Sequence, residues 1–357
     1  MDDAERLEIE EHLKRQIEAY HEAAILFTAV SARIPDLLNL GGRTPEMLAS
    51  ELDMQPGPLR RFLRGLVTMR LCAELDDGRF VLTPAGESLV VGSRSSLRYK
   101  AQVVVGQYWP PWLSLMHSLE TGEPSFDHFF GMTISAWRAV DKGEDEPFYR
   151  YLVKEEMEPA NANPLMQSLG VIEDGNVLAS IGGGYGGILI PFLRVRPDLK
   201  AVVFDAPSVV DGAEPMVQAL GLQHRVTFVA GDSLKSVPVE ADIYILKGVL
   251  QQHDDGRARA ILENCREAMK PGARLIVYER LMPERATDDP AAIMLDLHMM
   301  AITGGKARTK AEMESLIAEA GLTIVENKRT YEGLAFIEAR IPESKTQDRG
   351  ANDSKDS

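Results

Sequence analysis

Apolar residues change their spacing twice along this chain, and the changes divide it. From Glu8 to about Met69 they recur every three to four residues, which predicts helices with one buried face. Thr44 and Pro45 read as an N-cap and a first-turn proline, and Pro56-Gly57-Pro58 reads as a break before Leu59-Arg60-Arg61-Phe62-Leu63. Two short runs, Leu71 to Glu74 and Arg79 to Leu82, enclose the turn Asp76-Asp77-Gly78 and predict a hairpin. Helices followed by a hairpin predict a winged-helix unit over residues 1–95. Residues 96–160 keep helical spacing but gather aromatics, among them Tyr108, Trp109, Trp112, Phe148 and Tyr149. They read as a helical linker and cleft segment.

From residue 161 the pattern becomes short continuous apolar runs, the mark of strands buried on both faces. Val177 to Ile181, Lys200 to Asp205, Val226 to Ala230 and Ala241 to Leu246 are the first four. Arg274 to Glu279, Thr323 to Lys328 and Leu334 to Ala339 follow, with a helix from Arg257 to Ala268 and another opened by Thr309-Lys310-Ala311-Glu312. The expected class is α/β, with a doubly wound sheet over residues 161–341 behind a mainly helical N-terminal domain. Residues 342–357 are polar and read as a disordered tail.

Composition narrows the function. The net charge of −15 repels polyphosphate backbones, so nucleic acid is not an expected partner. Arg60, Arg61, Arg64 and Arg70 raise a DNA-reading hypothesis but share their helix with Phe62, Leu63 and Leu66. Dimerisation is the better use for short apolar helices that cannot bury everything within one chain. Cys72 and Cys265 lack metal-ligand spacing, so no metal site is expected. Nothing in the sequence reads as a secretion signal or membrane span, and a cytoplasmic location is expected.

The chemistry begins where the first buried strand ends, in Gly182-Gly183-Gly184-Tyr185-Gly186-Gly187. Glycines there permit positive φ and let a ligand lie against bare backbone, while the run from Ile188 is expected to start a helix whose amides face that ligand. Gly182, Gly184 and Gly187 fit a dinucleotide fingerprint, and Gly182, Gly184 and Gly186 fit a looser adenosyl-binding pattern. Asp205 ends the second strand where a ribose diol needs an acceptor, and Asp232, Ser233 and Lys247 end the third and fourth. An enzyme using a nicotinamide cofactor and one using an adenosyl cofactor both remain open on these residues.

Further motifs narrow the choice. Thr83-Pro84-Ala85-Gly86-Glu87, Ile181 to Gly186, Asp205-Ala206-Pro207, Leu246-Lys247, Glu279 with Pro283, Asp296-Leu297 and Gly304-Gly305-Lys306-Ala307-Arg308-Thr309 occur in this order. Over residues 20–340 the chain resembles the small-molecule O-methyltransferases that use S-adenosylmethionine, of the plant caffeate and bacterial polyketide types, with an N-terminal winged-helix dimerisation domain. The resemblance implies a Rossmann-like methyltransferase domain, a homodimer, a hydrophobic small-molecule substrate and a place in secondary metabolism such as antibiotic biosynthesis. It implies that Gly182, Gly184 and Gly186 pack against the cofactor, that Asp205 holds the ribose, that Asp232 and Ser233 flank the adenine and that Lys247 meets the methionine carboxylate. Trp109, Trp112, Phe148 and Met299 are the candidate substrate contacts.

The chain departs from the family at the reacting centre. Ser180 stands where an acidic residue usually precedes the glycine run. In many relatives the segment after the lysine carries a histidine that takes the substrate proton, and here it reads Leu250-Gln251-Gln252-His253. Gln251 stands at the histidine position, and an amide is no base. His253 is a further candidate for the base, although in a helix it would point about 200° away from Gln251. Glu279 matches one of two glutamates that brace the family histidine, and Ala307 replaces the other. Four accounts follow: methyl transfer driven by positioning, methyl transfer with His298 as the base, a non-methylating reaction that uses the sulfonium charge, and a winged-helix ligand-sensing regulator.

Overall fold

The computed structural model describes residues 2–93, 97–140, 142–173, 175–330 and 333–342. The expected tail therefore lies, from residue 343, outside the described residues. The N-terminal region begins with helices Asp3–Glu18, Tyr20–Ser31, Ile34–Asn39 and Pro45–Leu52. Thr44 caps the last of these through a bond from the Met47 amide, with Pro45 in the first turn, as the sequence predicts. The next helix, Pro56–Thr68, starts at Pro56 itself, so Pro56-Gly57-Pro58 opens it instead of breaking the pattern. Proline tolerates the first turn because its missing N–H has no intrahelical partner there.

The hairpin forms from β1 (Cys72–Glu74) and β2 (Phe80–Leu82). Ile34, Leu48, Leu63, Leu66 and Phe80 pack beneath it as a separate core. Arg60 and Arg64, the candidate DNA readers, pair with Glu46 and Glu74. The first helix buries nothing, and Leu7, Ile9, Leu13 and Ile17 are at least half exposed along it.

The middle segment contains a π-helix, Gln102–Tyr108, in which the Trp109 amide reaches back to the Val104 carbonyl. Pro110 and Pro111 follow at once. Neither has an N–H to continue an α-helical ladder, which accounts for the widened turn before them. Helices Ile134–Val140 and Lys142–Met157 come next. Phe126 and Ile134 from this segment pack on Ala301 and Ile302 of the late helix Pro290–Ile302. Those contacts seat the helical segment over the sheet.

The sheet has seven strands: β3 (Val177–Ile181), β4 (Lys200–Asp205), β5 (Val226–Ala230), β6 (Ile243–Lys247), β7 (Arg274–Arg280), β8 (Thr323–Arg329) and β9 (Leu334–Arg340). Their order is β5-β4-β3-β6-β7-β9-β8, and β9 is antiparallel to both of its neighbours. Chain direction across the sheet reverses beside β3, whose neighbours are β4 and β6. A crevice opens at such a switch point, beyond the C-terminal ends of the strands. Leu178, Val203, Ile245 and Phe336 fill one face, while Ala179, Tyr244, Leu246 and Val277 fill the other.

Candidate active site

The glycine loop is fastened to the sheet by its own amides. Gly182 and Gly183 both donate to the Phe204 carbonyl, at 2.8 and 3.3 Å. Gly182 and Gly184 have φ of +64° and +55°, which only glycine adopts cheaply. Asp205, at the end of β4, accepts from the Gly184 amide at 2.7 Å and from its neighbour Ala206 at 2.7 Å. Each carboxylate oxygen keeps a further lone pair, and the side chain lines a cavity of about 400 Å³. Burial raises the Asp205 pKa, and the Gly184 and Ala206 amides pull it the other way.

Across the loop, Lys247 donates to Glu156 at 3.0 Å, and both line the same cavity. Gly187 makes this approach possible. A Cβ there would lie 2.5 Å from Glu156 Oε2 and 2.9 Å from Val153 Cα. Ser233 lines the cavity as well, its carbonyl held by Asn264 at 2.8 Å.

The opposite end is aromatic. Tyr108, Phe148, His298 and Met299 line it, together with Arg138 and Gln251. Tyr108 meets His298 edge-on with centroids 4.5 Å apart, and the Trp112 indole N–H donates to His298 Nδ1 at 3.3 Å. An indole nitrogen only donates, so Nδ1 must be the acceptor and the proton of the neutral ring sits on Nε2. Burial, and then the Arg138 charge, hold the His298 pKa down to about 4. At neutral pH the lone pair of His298 is therefore engaged, and the nitrogen left over is a donor.

Residues 112–323 match the O-methyltransferase domain family, and residues 15–92 match the O-methyltransferase dimerisation domain. The chain belongs to the S-adenosylmethionine-dependent O-methyltransferases of secondary metabolism. It is 30% identical to the phenazine O-methyltransferase PhzM of Lysobacter antibioticus, over 92% of this chain and 95% of that one. The crystal structure of LaPhzM superposes with a TM-score of 0.85 at 29% identity, covering 94% of this chain and all but 1% of the other, 99% being matched. The O-methyltransferase NcsB1 of neocarzinostatin biosynthesis, solved with S-adenosylmethionine and 2-hydroxy-5-methyl naphthoic acid, superposes at 0.73 with 26% identity, over 90% of this chain and 96% of that one. The family cofactor fits the residues present: a loop without Cβ atoms, a carboxylate with free lone pairs, and a cation beside an anion where a zwitterion would lie.

Not every expected site residue of this O-methyltransferase lines the cavity. Gly186 is absent from the cavity lining and faces inward, where a Cβ would meet Val203 at 3.0 Å. The helix after the loop begins at Ile190, not Ile188, and spans 6 residues. It leaves the loop glycines, not helix amides, facing the cavity. Asp232 is also outside the lining, paired with exposed Lys235 at 3.4 Å. Trp109 turns toward Tyr20, and Trp112 stands behind His298. Phe148 and Met299 do line the cavity.

The segment after Lys247 is a 3-10 turn, Leu250–Gln252, that ends before an extended His253. Gln251 and His253 consequently both line the cavity, against the opposite directions expected of one α-helix. His253 lies within electrostatic reach of Asp232, on the Ser233 side; burial and the Arg257 charge lower its pKa, and its Nδ1 is buried without a partner among the described residues.

Glu279 does not brace a side chain. Its Oε1 accepts from the Leu250 amide at 2.6 Å and from the Gln251 amide at 3.3 Å, so it holds the backbone of the turn. Burial pushes its carboxyl up to about 7, against those amides and the Arg308 charge, which favour the ionised form. Ala307, at the missing second glutamate, donates its amide to Asp296. Ser180 sits under the loop, where a Cβ on Gly183 would come 2.8 Å from its Oγ.

Two charged residues of the cavity, Glu156 and Arg138, carry no motif in the sequence. Arg138 lies four residues after Ile134 on the buried stripe of a short helix, and both are buried. A lone arginine on an apolar stripe was the available signal.

Proposed function

We propose that this O-methyltransferase methylates a hydroxyl of a hydrophobic aromatic or polyketide-like molecule by positioning it, without a histidine base. The observation that carries the reading is that one cavity joins the glycine loop, Asp205 and Lys247 to the aromatic wall of Tyr108, Phe148 and His298. S-adenosylmethionine supplies an electrophilic methyl group on a sulfonium. In this reading Gly182 and Gly184 give the nucleoside room, Asp205 accepts from the ribose hydroxyls, and Ser233 and His253 line the purine. Lys247 and Glu156 part to meet the methionine carboxylate and ammonium.

On the acceptor side, the Gln251 amide orients and cannot deprotonate, and the Trp112 indole occupies the one lone pair of His298. A phenol or enol acidic enough to ionise unaided needs no base, and holding it in line contributes much of the barrier lowering. The phenazine in the name of one relative and the naphthoic acid bound to another support an aromatic acceptor. The exposed apolar side of Asp3–Glu18 and the match to the dimerisation domain support a homodimer through the N-terminal region.

The absence of a free base among Gln251 and His298 also favours a second reading, a conversion that uses the sulfonium charge and keeps the methyl. Incubation with S-adenosylmethionine and a panel of phenolic polyketides separates them by mass spectrometry. One methyl gained per adenosylhomocysteine released supports transfer; cofactor-dependent product without a methyl sinks it.

A further inference from the structure

Among the described residues Arg138 is the one buried cation at the acceptor end, and its hydrogen-bond partners there are all neutral. Its Nε and Nη2 donate to Gln107 Oε1 at 3.2 and 2.9 Å, and Nη2 also reaches the Tyr108 hydroxyl at 3.3 Å. The guanidinium lies over the Phe148 ring, with its carbon 3.3 Å from the ring centroid. Only 8% of the residue is exposed. A charge removed from water this far is normally compensated by an opposite charge.

No such charge is within reach among the described residues. The cavity holds two carboxylates, Glu156 and Asp205. Glu156 pairs with Lys247, or in the proposed reading with the cofactor's ammonium, and Asp205 receives the Gly184 and Ala206 amides. Meanwhile Nη1 of Arg138 makes no hydrogen bond to a described residue, and Arg138 lines the cavity. The stacked ring and the Gln107 carbonyl fix the plane of the guanidinium, so the free nitrogen is held ready. His298 adds a second donor, its Nε2–H, on the same wall.

We propose that Arg138 is a specificity residue that binds a carboxylate carried on the ring of the acceptor, with His298 as a supporting donor. The substrate class is then a hydroxylated aromatic carboxylic acid. A carboxylate accepts from two donors at once and neutralises the buried cation, whereas an ester or an unsubstituted ring leaves the cation unpaired. The inference rests on the methyl-transfer reading for the identity of the cavity.

The test is calorimetric and needs no turnover. The full chain loaded with S-adenosylhomocysteine is titrated with three pairs of acid and methyl ester: salicylate, 1-hydroxy-2-naphthoate and a hydroxyphenazine carboxylate. At least one acid is expected to bind ten times more tightly than its ester. Arg138→Met is expected to bring that acid to the level of its ester, with the ester within twofold of wild type. Should Arg138→Met also lose adenosylhomocysteine, Arg138→Gln, which keeps a donor for Gln107 without the charge, is judged by the same ratio. Equal binding of acid and ester in every pair, or an acid preference that survives loss of the charge, overturns the proposal. Failure of the wild type to bind adenosylhomocysteine overturns the methyl-transfer reading and this inference with it. Adenosylhomocysteine binding without an acid preference overturns this inference alone.

Discussion

The two ends of the cavity are made of different materials. At the cofactor end the surface is backbone: the loop at Gly182 to Tyr185, whose own amides pin it to the Phe204 carbonyl and the Asp205 carboxylate of β4. At the acceptor end it is side chains from three separated helical stretches, with Tyr108, Arg138 and His298 brought together by packing. A surface made of backbone tolerates sequence change elsewhere and keeps one ligand. A surface made of side chains can be retuned residue by residue, and in this chain Gln251 and the Trp112-bound His298 are among the side chains that set its chemistry.

The largest expected effect lies at the cofactor end. In the proposed reading Asp205→Ala removes the acceptor for the ribose hydroxyls and frees the Gly184 amide, so S-adenosylmethionine affinity should fall roughly 1,000-fold, about 4 kcal/mol. Calorimetry checks this, and a change below threefold would show that the carboxylate serves the loop alone. Aromatic acceptors should bind the variant as before, because their wall does not touch Asp205.

Glu279 stands between the ends, and its effect is on stability. Its carboxyl is raised to about 7 in the folded protein from an ordinary 4.5, so the native state keeps a proton that the unfolded chain releases. The stabilisation is complete below pH 4.5 and is lost as pH rises through 7. Glu279→Gln cannot ionise and still accepts from the Leu250 and Gln251 amides. Its stability relative to wild type should therefore climb by up to roughly 3 kcal/mol between pH 4.5 and 8. Parallel denaturation profiles for the two proteins would refute it.

At the acceptor end the effects are smaller. Gln251→His should raise the methylation rate near neutral pH about tenfold for weakly acidic phenols and leave acidic ones unchanged. Equal rates for both classes would mean that orientation, not proton removal, limits the reaction. Trp112→Phe frees His298 Nδ1 and loosens its ring. Acceptor affinity should drop about threefold with cofactor affinity untouched, since one neutral hydrogen bond is worth roughly 1 kcal/mol or less. A matching loss at the cofactor would instead mark Trp112 as part of the general fold.

The asymmetry between the ends also governs what could be read from the chain. β3, β4, β5 and β6 and the polar residues at their ends are legible because a buried parallel strand and its loop are local in sequence. Asp205 and Lys247 could be named for that reason. Spacing identifies a loop but not which way each residue in it faces, so it does not foretell that Gly186 packs toward Val203 or that Asp232 pairs with Lys235. The direction of His253 was misjudged since the turn stops at Gln252, where Glu279, 29 residues from Leu250, holds its amides. Trp109 and Trp112 looked like cleft residues by composition, yet one packs on Tyr20 and the other supports His298.

By itself the sequence determined the strand order of chemistry: a glycine loop, then a carboxylate, then a lysine, each at the end of a buried strand, preceded by a helical domain with a hairpin. It also determined that Gln251 is no base, because that is a property of the side chain alone. Only the tertiary structure decided that His298 donates, that Glu279 serves the backbone and that Arg138 lines the cavity with only neutral hydrogen-bond partners among the described residues. Hydrogen-bond partnership and burial are set by residues distant in the chain, such as Trp112 and His298, 186 positions apart, and no local pattern encodes them.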